Sequence, residues 1–310
     1  MSKKKALVAG GAGFIGSHLC EYLLSKNYDV HALDNLVTGR KENIQHLIVK
    51  GLQFHQLNLI EPFDLNVTFD EIYNLASPAS PVDFAKMPLF ILQTSSVGHL
   101  RLLDLAKKMN ARILIASTSE VYGDPIEHPQ TEEYWGNVNP IGPRSCYDEA
   151  KRFAEALSMA HFRTEKTQIR IIRIFNTYGP RMRPDDGRII PNFFMQALKK
   201  QPLTIYGDGT QTRSFCYVSD MVEGMYALMQ SMVTTPVNIG NPSEKSVAEI
   251  ADEINRLTGN TQEHIFLPLP EDDPRRRWPQ IDKAKKLLKW EPRVDLAEGL
   301  EKTLAFFKTI

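Results

Sequence analysis

The sequence predicts an α/β fold: a doubly wound parallel sheet with a smaller, irregular carboxyl-terminal region. Two observations predict it. Short apolar runs typical of buried strands alternate with stretches of helical periodicity through the first 176 residues. After Asn176 this alternation gives way to a turn-rich segment at residues 178–187 and then to shorter elements. We therefore expect residues 1–176 to form the main domain, with some later elements returning to it. Residues 177–310 should form most of the smaller region.

The predicted elements follow one another as parallel strands joined by crossover helices. Strand-like runs occur at residues 6–9, 30–33, 53–57, 71–75, 112–117 and 168–174, and helical stretches around residues 15–23, 89–109 and 150–163. Four polar residues, Asp34, Ser77, Thr118 and Asn176, lie at the predicted carboxyl ends of strands. Ligands of such sheets bind beyond those ends. The pattern therefore places a binding site there.

The first strand leads into a glycine-rich loop and then a helix. Gly10, Gly13 and Gly16 permit a sharp turn and close approach to a pyrophosphate, and the helix N-terminus attracts the anion. Asp34 follows the second strand, where its carboxylate can accept hydrogen bonds from an adenosine ribose. These features predict a Rossmann-like NAD-binding domain. A turn-capping role for Asp34 is the alternative, and the nearby Arg40 leaves NADP open.

Tyr147 and Lys151 lie one helical turn apart, and Thr118 lies 29 residues upstream of the tyrosine. Oxidation of an alcohol needs a base at its oxygen, and an ordinary tyrosine, with a pKa near ~10, is a poor base at neutral pH. The Lys151 ammonium should stabilise the phenolate and lower the pKa of Tyr147. Thr118 can hydrogen-bond the same substrate oxygen. Together with the glycine loop, this trio indicates hydride transfer between a nicotinamide and a secondary alcohol.

Composition narrows the class of protein. Lys plus Arg and Asp plus Glu number 37 each, so no overall charge favours nucleic acid or membrane surfaces. No apolar run is long enough to span a bilayer and no signal-peptide pattern is present, so we expect a cytoplasmic protein. Cys20, Cys146 and Cys216 fit no metal pattern. We expect free thiols, a packing role for Cys146, and no metal.

Several longer motifs carry a family resemblance. They are the glycine loop, NLASPASP at residues 74–81, STSEVYGD at 117–124, YWGNVNPIGPRSCYDE at 134–149, RIFNTYGPRM at 173–182 and YGDGTQTR at 206–213. They resemble the extended short-chain dehydrogenase/reductase superfamily, which includes the NAD-dependent epimerases and dehydratases. Within it they most resemble the UDP-glucuronic acid decarboxylases, or UDP-xylose synthases. The resemblance runs nearly from end to end.

The resemblance implies a carboxy-lyase with an internal redox cycle. Family members hold NAD tightly, oxidise C4 of UDP-glucuronate, release the C6 carboxylate as CO2, and return the hydride to give UDP-xylose. The C4 ketone makes the carboxylate β to a carbonyl, so the enzyme must mainly stabilise an enolate and protonate C5. Net redox change is zero.

The resemblance also implies roles for individual residues. Tyr147 would be the acid/base at the C4 oxygen, Lys151 its partner and a ribose ligand, and Thr118 the second group at that oxygen. Ser119 and Glu120 would face C5 and the carboxylate. Arg277 matches the arginine of a carboxyl-terminal Arg-x-Pro-x-Ile motif assigned to substrate binding and decarboxylation. The alternatives are an exposed acid for Glu120 and a solvated basic surface for residues 275–277.

Arg188 and Arg213 would clamp the diphosphate, because planar guanidinium groups suit phosphate. The predicted substrate site comprises Asn176, Arg188, Tyr206, Gln211, Arg213 and Arg277. The predicted cofactor site comprises Gly10, Gly13, Phe14, Ile15, Gly16, Asp34, Asn35, Thr38, Gly39, Asn58, Leu59, Leu75, Ser77, Thr94, Tyr147 and Lys151.

Three positions depart from the family pattern. Asn58 stands where the family usually has an adenine-contacting Asp, and His161 replaces a common aromatic residue, with packing as its expected role. Gln93 stands where many members have Lys near the substrate, which weakens the case for a carboxylated sugar. A 4-epimerase or 4,6-dehydratase of the same superfamily stays an alternative because it shares the C4 oxidation step, and a non-catalytic NAD-binding sensor is a remote one. Ser119 argues against a dehydratase, because dehydratases usually carry Asp there.

Members of this superfamily commonly dimerise through the tyrosine-bearing helix and the helix around residues 89–109. Phe153, Leu157 and Ala160 give the former an apolar stripe. We therefore expect a homodimer.

Overall fold

The computed structural model describes residues 3–310 of the chain. The strands are β1 (Lys5–Ala9), β2 (Asp29–Asp34), β3 (Gln53–Gln56), β4 (Glu71–Asn74), β5 (Arg112–Thr118), β6 (Gln168–Ile174), β7 (Thr177–Tyr178), β8 (Thr204–Tyr206), β9 (Thr212–Ser214), β10 (Cys216–Tyr217), β11 (Val237–Ile239), β12 (Glu244–Ser246), β13 (Ile265–Leu267) and β14 (Arg276–Arg277). The α-helices are α1 (Phe14–Ser25), α2 (Gln45–Ile48), α3 (Pro81–Lys86), α4 (Pro88–Gln93), α5 (His99–Met109), α6 (Ser145–Glu165), α7 (Ile189–Leu198), α8 (Val218–Gln230), α9 (Val247–Thr258), α10 (Asp282–Leu288) and α11 (Leu296–Phe307).

A seven-stranded parallel sheet forms the centre, in the order β3-β2-β1-β4-β5-β6-β11. The predicted doubly wound α/β fold is confirmed. The inner strands are buried along nearly their whole length, because helices cover both faces of the sheet. One apolar core, on the α1 and α8 side, extends into the carboxyl-terminal region. A second core lies on the α5 and α6 side.

The predicted helix around residues 89–109 is one continuous helical run with a π-helical turn at Thr94–Gly98, between α4 and α5. The hydroxyl of Thr94 donates to the carbonyl of Phe90, 2.8 Å away, and Ser96 donates to the carbonyl of Leu92. Side-chain hydroxyls that bond the preceding turn compete with the regular helix ladder. The wider turn begins within this run of small polar residues.

Beyond Asn176 the strands are short and form three small sheets: β7 with β10, β8 with β13, and β9 with β12 and β14. One later strand, β11, leaves this region and pairs with β6 at the edge of the central sheet. The division of the chain at residue 176 stays a prediction. Between residues 3 and 310, no helix has the length and apolar character needed to cross a membrane.

Candidate active site

A cavity opens at the carboxyl ends of the central strands, and a smaller one adjoins it through Gly10, Gly13, Thr38, Leu75 and Ser77. The sheet topology explains its position, because all central strands run in the same direction and end on the same side. Every residue that the sequence assigns to cofactor, substrate or catalysis lines one of the two cavities. The fold thus brings the whole predicted set together.

The glycine loop has the shape that a pyrophosphate site requires. Gly10 has a φ of +79°, which side chains rarely adopt, and a Cβ on Gly16 would overlap the carbonyl oxygen of Gly10. Helix α1 starts at Phe14 with no side-chain cap on its first N–H groups. These free N–H groups and the bare loop face the junction of the two cavities. The residues present therefore fit the diphosphate of a dinucleotide.

Asp34 ends β2 and lines the smaller cavity. Its carboxylate accepts hydrogen bonds from the backbone N–H of Ala12, at 3.0 Å, and of Leu36, at 2.8 Å. Burial raises the pKa of Asp34, although the backbone hydrogen bonds oppose this. Asp34 therefore does cap a turn, as the alternative proposed. The same hydrogen bonds hold its carboxylate beside the glycine loop. A Cβ on Gly39 would come within 2.6 Å of that carboxylate, so a larger residue there would displace the Asp34 side chain.

Tyr147 and Lys151 lie on one face of α6, next to the end of β5. Thr118, the last residue of β5, lines the same cavity as Tyr147, and its hydroxyl accepts from the backbone N–H of Glu120 at 3.2 Å. The Tyr147 ring stacks on Phe84, with 4.9 Å between the ring centroids. The Lys151 ammonium lies 5.6 Å from the tyrosine ring centroid and donates to the carbonyl of Ala116 at 2.9 Å. The trio predicted from the sequence is therefore assembled.

The predicted lowering of the tyrosine pKa is not found. Burial is the largest influence and raises the pKa of Tyr147, and the Glu120 carboxylate raises it further. The nearby Thr118 hydroxyl and the charge of Arg188 only partly offset this rise in pKa. Burial also lowers the pKa of Lys151, to about 8. The prediction was wrong because the Lys151 ammonium bonds the Ala116 carbonyl and because it considered neither burial nor Glu120.

Glu120 lies at the centre of an arginine cluster formed by Arg144, Arg213 and Arg277. One of its oxygens accepts from Arg144 at 2.6 Å and from Arg277 at 3.0 Å. Burial alone would raise the pKa of Glu120, but Arg277 and Arg144 outweigh it and lower the pKa to about 2. Glu120 is therefore a carboxylate at neutral pH. The exposed-acid alternative is wrong, since 16% of its side chain is exposed.

Arg277 is buried, with only 1% of its side chain exposed, and also donates to the carbonyl of Gly123 at 2.7 Å. The solvated-surface alternative is therefore wrong for Arg277, whereas its neighbour Arg276 is exposed. Strand β14 explains the difference, because residues 276 and 277 point to opposite faces of the small sheet with β9. The arginine that faces inward meets the catalytic end of the cavity.

The two predicted diphosphate ligands line the cavity, and each is paired with a carboxylate. Arg188 donates to Asp186 at 2.7 Å, and Arg213 donates to Asp273 at 2.9 Å. The other predicted substrate residues line the same wall: Asn176, Tyr206 and Gln211. The side-chain oxygen of Gln211 is buried and has no hydrogen-bond partner among the described residues. It is a free acceptor for a ligand donor.

Gln93 does not lie where the family comparison placed it. It is exposed at the end of α4 and lines neither cavity of the described chain. Its missing charge therefore gives no argument against a carboxylated sugar. Asn58 lines the smaller cavity, as expected, and its side chain caps the N–H of Ile60. His161 is buried and hydrogen-bonds Thr167, in keeping with packing.

The chain matches the family model described as GDP-mannose 4,6 dehydratase over residues 7–303. The chain belongs to this family of NAD-dependent epimerases and dehydratases. Within the family it is 52% identical to a UDP-glucuronic acid decarboxylase of Xenopus tropicalis, over 99% of this chain and 72% of the relative. It is 50% identical to one of Arabidopsis thaliana, over 98% of this chain and 70% of the relative.

Solved structures of the family share the fold. A UDP-glucuronic acid 4-epimerase from Bacillus cereus, in complex with UDP-glucuronic acid and NAD, superposes with a TM-score of 0.87 at 30% identity. The match covers 98% of this chain and 99% of that one. A UDP-glucose 4-epimerase from Thermotoga maritima gives a TM-score of 0.89 at 27% identity, with the same coverages.

Three residues that line the larger cavity were not predicted from the sequence. Arg144 precedes α6, bonds Glu120 and lies over the Phe84 ring, 5.6 Å from its centroid. Asp273 lies between Arg213 and Arg144, at 2.9 and 3.7 Å. Phe84 covers one face of Tyr147. Arg144 and Tyr147 stand three residues apart in the sequence, and that proximity was the available signal. The contacts of Asp273 and Phe84 join segments that are distant in the sequence, so no local pattern indicated these two residues.

Proposed function

We propose that this protein is a UDP-glucuronate decarboxylase that converts UDP-glucuronate to UDP-xylose and CO2. The observation that carries the proposal is the position of Glu120. It lies between Arg144 and Arg277, beside the Tyr147 and Thr118 pair that suits alcohol oxidation. The decarboxylases of Xenopus and Arabidopsis are 52% and 50% identical to the chain over nearly its whole length.

The cofactor is NAD. Residues that fit it are the bare glycine loop for the diphosphate and Asp34 for the adenosine ribose. When bound, NAD supplies the hydride acceptor and donor for C4. A 2′-phosphate would meet the Asp34 carboxylate, so the site favours NAD over NADP.

Tyr147 takes the proton of the C4 hydroxyl as that carbon is oxidised and gives it back when the carbon is reduced. Thr118 hydrogen-bonds the same oxygen and keeps it beside the phenol. The two donors then stabilise the enolate oxygen that forms as the C5–C6 bond breaks and CO2 leaves. The raised pKa of Tyr147 keeps the phenol protonated in this step, so it can donate a hydrogen bond to the enolate oxygen. When the phenolate forms, the Lys151 ammonium, 5.6 Å from the ring centroid, is placed to stabilise it, although its charge does not offset the burial of the resting phenol.

The arginine cluster receives the C6 carboxylate. Arg144 donates to Glu120 at 2.6 Å, while its Nη1 lies 3.7 Å from Asp273, beyond hydrogen-bond distance. Because Arg144 and Arg277 both line the cavity, a second carboxylate can pair with the cluster beside Glu120. Glu120 itself stays ionised at neutral pH, so it orients the two arginines and accepts hydrogen bonds. Glu120 therefore carries no proton for C5, and the proton that C5 takes up after CO2 leaves comes from water.

The nearest alternative is a 4-epimerase, and it is favoured by the solved neighbours of the fold. The Bacillus cereus epimerase acts on UDP-glucuronic acid, so the sugar does not discriminate the two activities. Ser119, buried at the end of β5, still argues against a 4,6-dehydratase. A non-catalytic sensor would have no use for the assembled Tyr147, Lys151 and Thr118.

We also propose that the protein is a cytoplasmic homodimer. Support for the dimer comes from large apolar side chains that stay exposed along α4, the π-helical turn and α5, namely Leu89, Leu92, Val97 and Leu100. Phe153 on the neighbouring α6 is 50% exposed. Two such faces would bury each other about a twofold axis. A monomer by light scattering at micromolar concentration would contradict this.

The reaction is tested by incubating the protein with UDP-glucuronate and, separately, with UDP-glucose. Mass spectrometry should find CO2 and a UDP-pentose from UDP-glucuronate only. A product of unchanged mass but different retention time would identify an epimerase instead. No conversion of either sugar, with NAD bound to the protein, would overturn the enzymatic proposal.

A further inference from the structure

Three consecutive residues at the end of β5 lie beside three residues along one stripe of α6. Thr118 and Tyr147 line the same cavity, and the carbonyl of Ala116 accepts from Lys151 at 2.9 Å. Between them, the hydroxyl of Ser117 donates to Glu155 at 2.5 Å. Positions 147, 151 and 155 are spaced by four, so they lie on one face of the helix. The first two pairs contain residues proposed for catalysis, whereas the Ser117–Glu155 pair takes no part in that chemistry.

Glu155 is itself held firmly. Arg173 on β6 donates to both of its carboxylate oxygens, at 2.9 and 2.8 Å. Arg173 is fixed in turn by the Tyr122 hydroxyl, at 2.9 Å, and by the carbonyl of Glu132, at 3.1 Å. Ser117 and Arg173 are register partners on β5 and β6, so both face α6. One carboxylate on the helix is thus bound by two neighbouring strands.

A buried ion pair is weak evidence for stability, because removing two charges from water costs about as much as their attraction returns. The side chains of Glu155 and Arg173 are only 13% and 12% exposed. Their geometry points instead to orientation. A carboxylate bound from two strands fixes both the rotation and the axial position of α6, and these set where Tyr147 and Lys151 lie.

We infer that Glu155 is a positioning residue for the reaction, and that its contact with Ser117 holds Lys151 in its buried place against Ala116. The pair Ser117 and Glu155 acts through α6 and does not touch the reacting atoms. This inference rests on the proposed function only for its kinetic readout.

The groups that face Lys151 are few. Tyr147 faces it from the same helix, the Ala116 carbonyl from β5, and His99 from α5. Burial, helped by Lys151, lowers the pKa of His99 to about 3, so this ring is neutral. Burial alone lowers the pKa of Lys151 to about 8. Loosening α6 admits water to the ammonium and should move its pKa upward.

The test compares Ser117→Ala and Glu155→Gln with the wild type in the full chain with NAD bound. Ser117→Ala removes the Ser117–Glu155 hydrogen bond but keeps the Glu155–Arg173 ion pair. This variant therefore tests the inference even if Glu155→Gln does not fold. Acetic anhydride labelling of Lys151 across pH, read by mass spectrometry, gives the midpoint of its titration without substrate. We expect that midpoint to rise by about one pH unit. We expect kcat for UDP-glucuronate to fall by about tenfold or more, with KM changed less than about threefold.

The matched control is Thr167→Val. Thr167 is also buried, and it ties α6 to the residue before β6 through a 3.1 Å hydrogen bond to His161, away from Lys151. Its loss should leave the Lys151 midpoint within about 0.3 pH unit and kcat within about twofold of the wild type. An unchanged midpoint in folded Ser117→Ala, or an equal shift in Thr167→Val, would overturn the inference. Failure of the wild type to convert UDP-glucuronate, with the midpoint shift present, would overturn the proposed function alone.

Discussion

The glycine loop at residues 10–16 and the arginine cluster around Glu120 face the same cavity but are built differently. The loop offers backbone N–H groups and a surface from which a Cβ on Gly16 is excluded. The arginine cluster offers charged side chains brought from residues 144, 213 and 277, balanced by Glu120 and Asp273. Function on the loop side depends on shape, and function on the cluster side depends on charge. Substitutions in the loop should therefore weaken NAD binding, whereas substitutions in the cluster should reduce turnover of the sugar.

Tyr147→Phe should give the largest effect. The variant keeps the ring that stacks on Phe84 but loses the oxygen that exchanges a proton with the substrate. We expect release of CO2 from UDP-glucuronate to fall by about a thousandfold. NAD affinity, measured by fluorescence titration, should change little. Turnover within tenfold of the wild type would refute the assignment of Tyr147.

Arg277→Met tests the charge side of the comparison. We expect kcat/KM for UDP-glucuronate to fall by about a hundredfold, because a buried cation beside Glu120 is lost while NAD binding is kept. Arg276→Met is the matched control, since that side chain is exposed on the opposite face of β14. Equal losses of kcat/KM in the two variants would indicate a general effect of positive charge and would contradict a specific role for Arg277.

Gly16→Ala tests the shape side. The added methyl group overlaps the Gly10 carbonyl oxygen, so the loop must move. We expect NAD affinity to fall at least about tenfold and the free energy of unfolding to fall by about 1–3 kcal/mol. NAD titration and urea unfolding measure the two separately. Unchanged NAD affinity would show that the loop does not need this close approach.

The pH dependence should give the smallest effect. Since burial lowers the pKa of Lys151 to about 8, its ammonium is present below that pH and is lost as pH rises through it. We expect kcat to fall about twofold at pH 8 and about tenfold at pH 9. Glu120, with a pKa lowered to about 2, stays ionised and adds no loss down to about pH 4. A flat profile between pH 7 and 9 would rule out a need for the ammonium.

The same contrast explains what the sequence could predict. The central strands, the glycine loop, Asp34 and the spacing of Tyr147 and Lys151 are local patterns, and the structure places them as expected. The longer motifs also predicted Glu120 and Arg277 as site residues. The burial of Arg277 could not be predicted from the run of three arginines at residues 275–277 alone. Contacts between distant segments could not be predicted. Asp273 reaches Arg144 across the fold, and burial determines the pKa values of Tyr147 and Lys151.

Strand β11 has a consequence for how the protein is made. Val237, Asn238 and Ile239 complete the central sheet beside β6. During synthesis, β6 therefore keeps an unpaired edge until the whole intervening segment 175–236 has left the ribosome. At ordinary translation speeds this takes on the order of seconds. An unpaired strand edge can pair with another chain and aggregate. During this interval the nascent protein therefore exposes a surface that chaperones can shield.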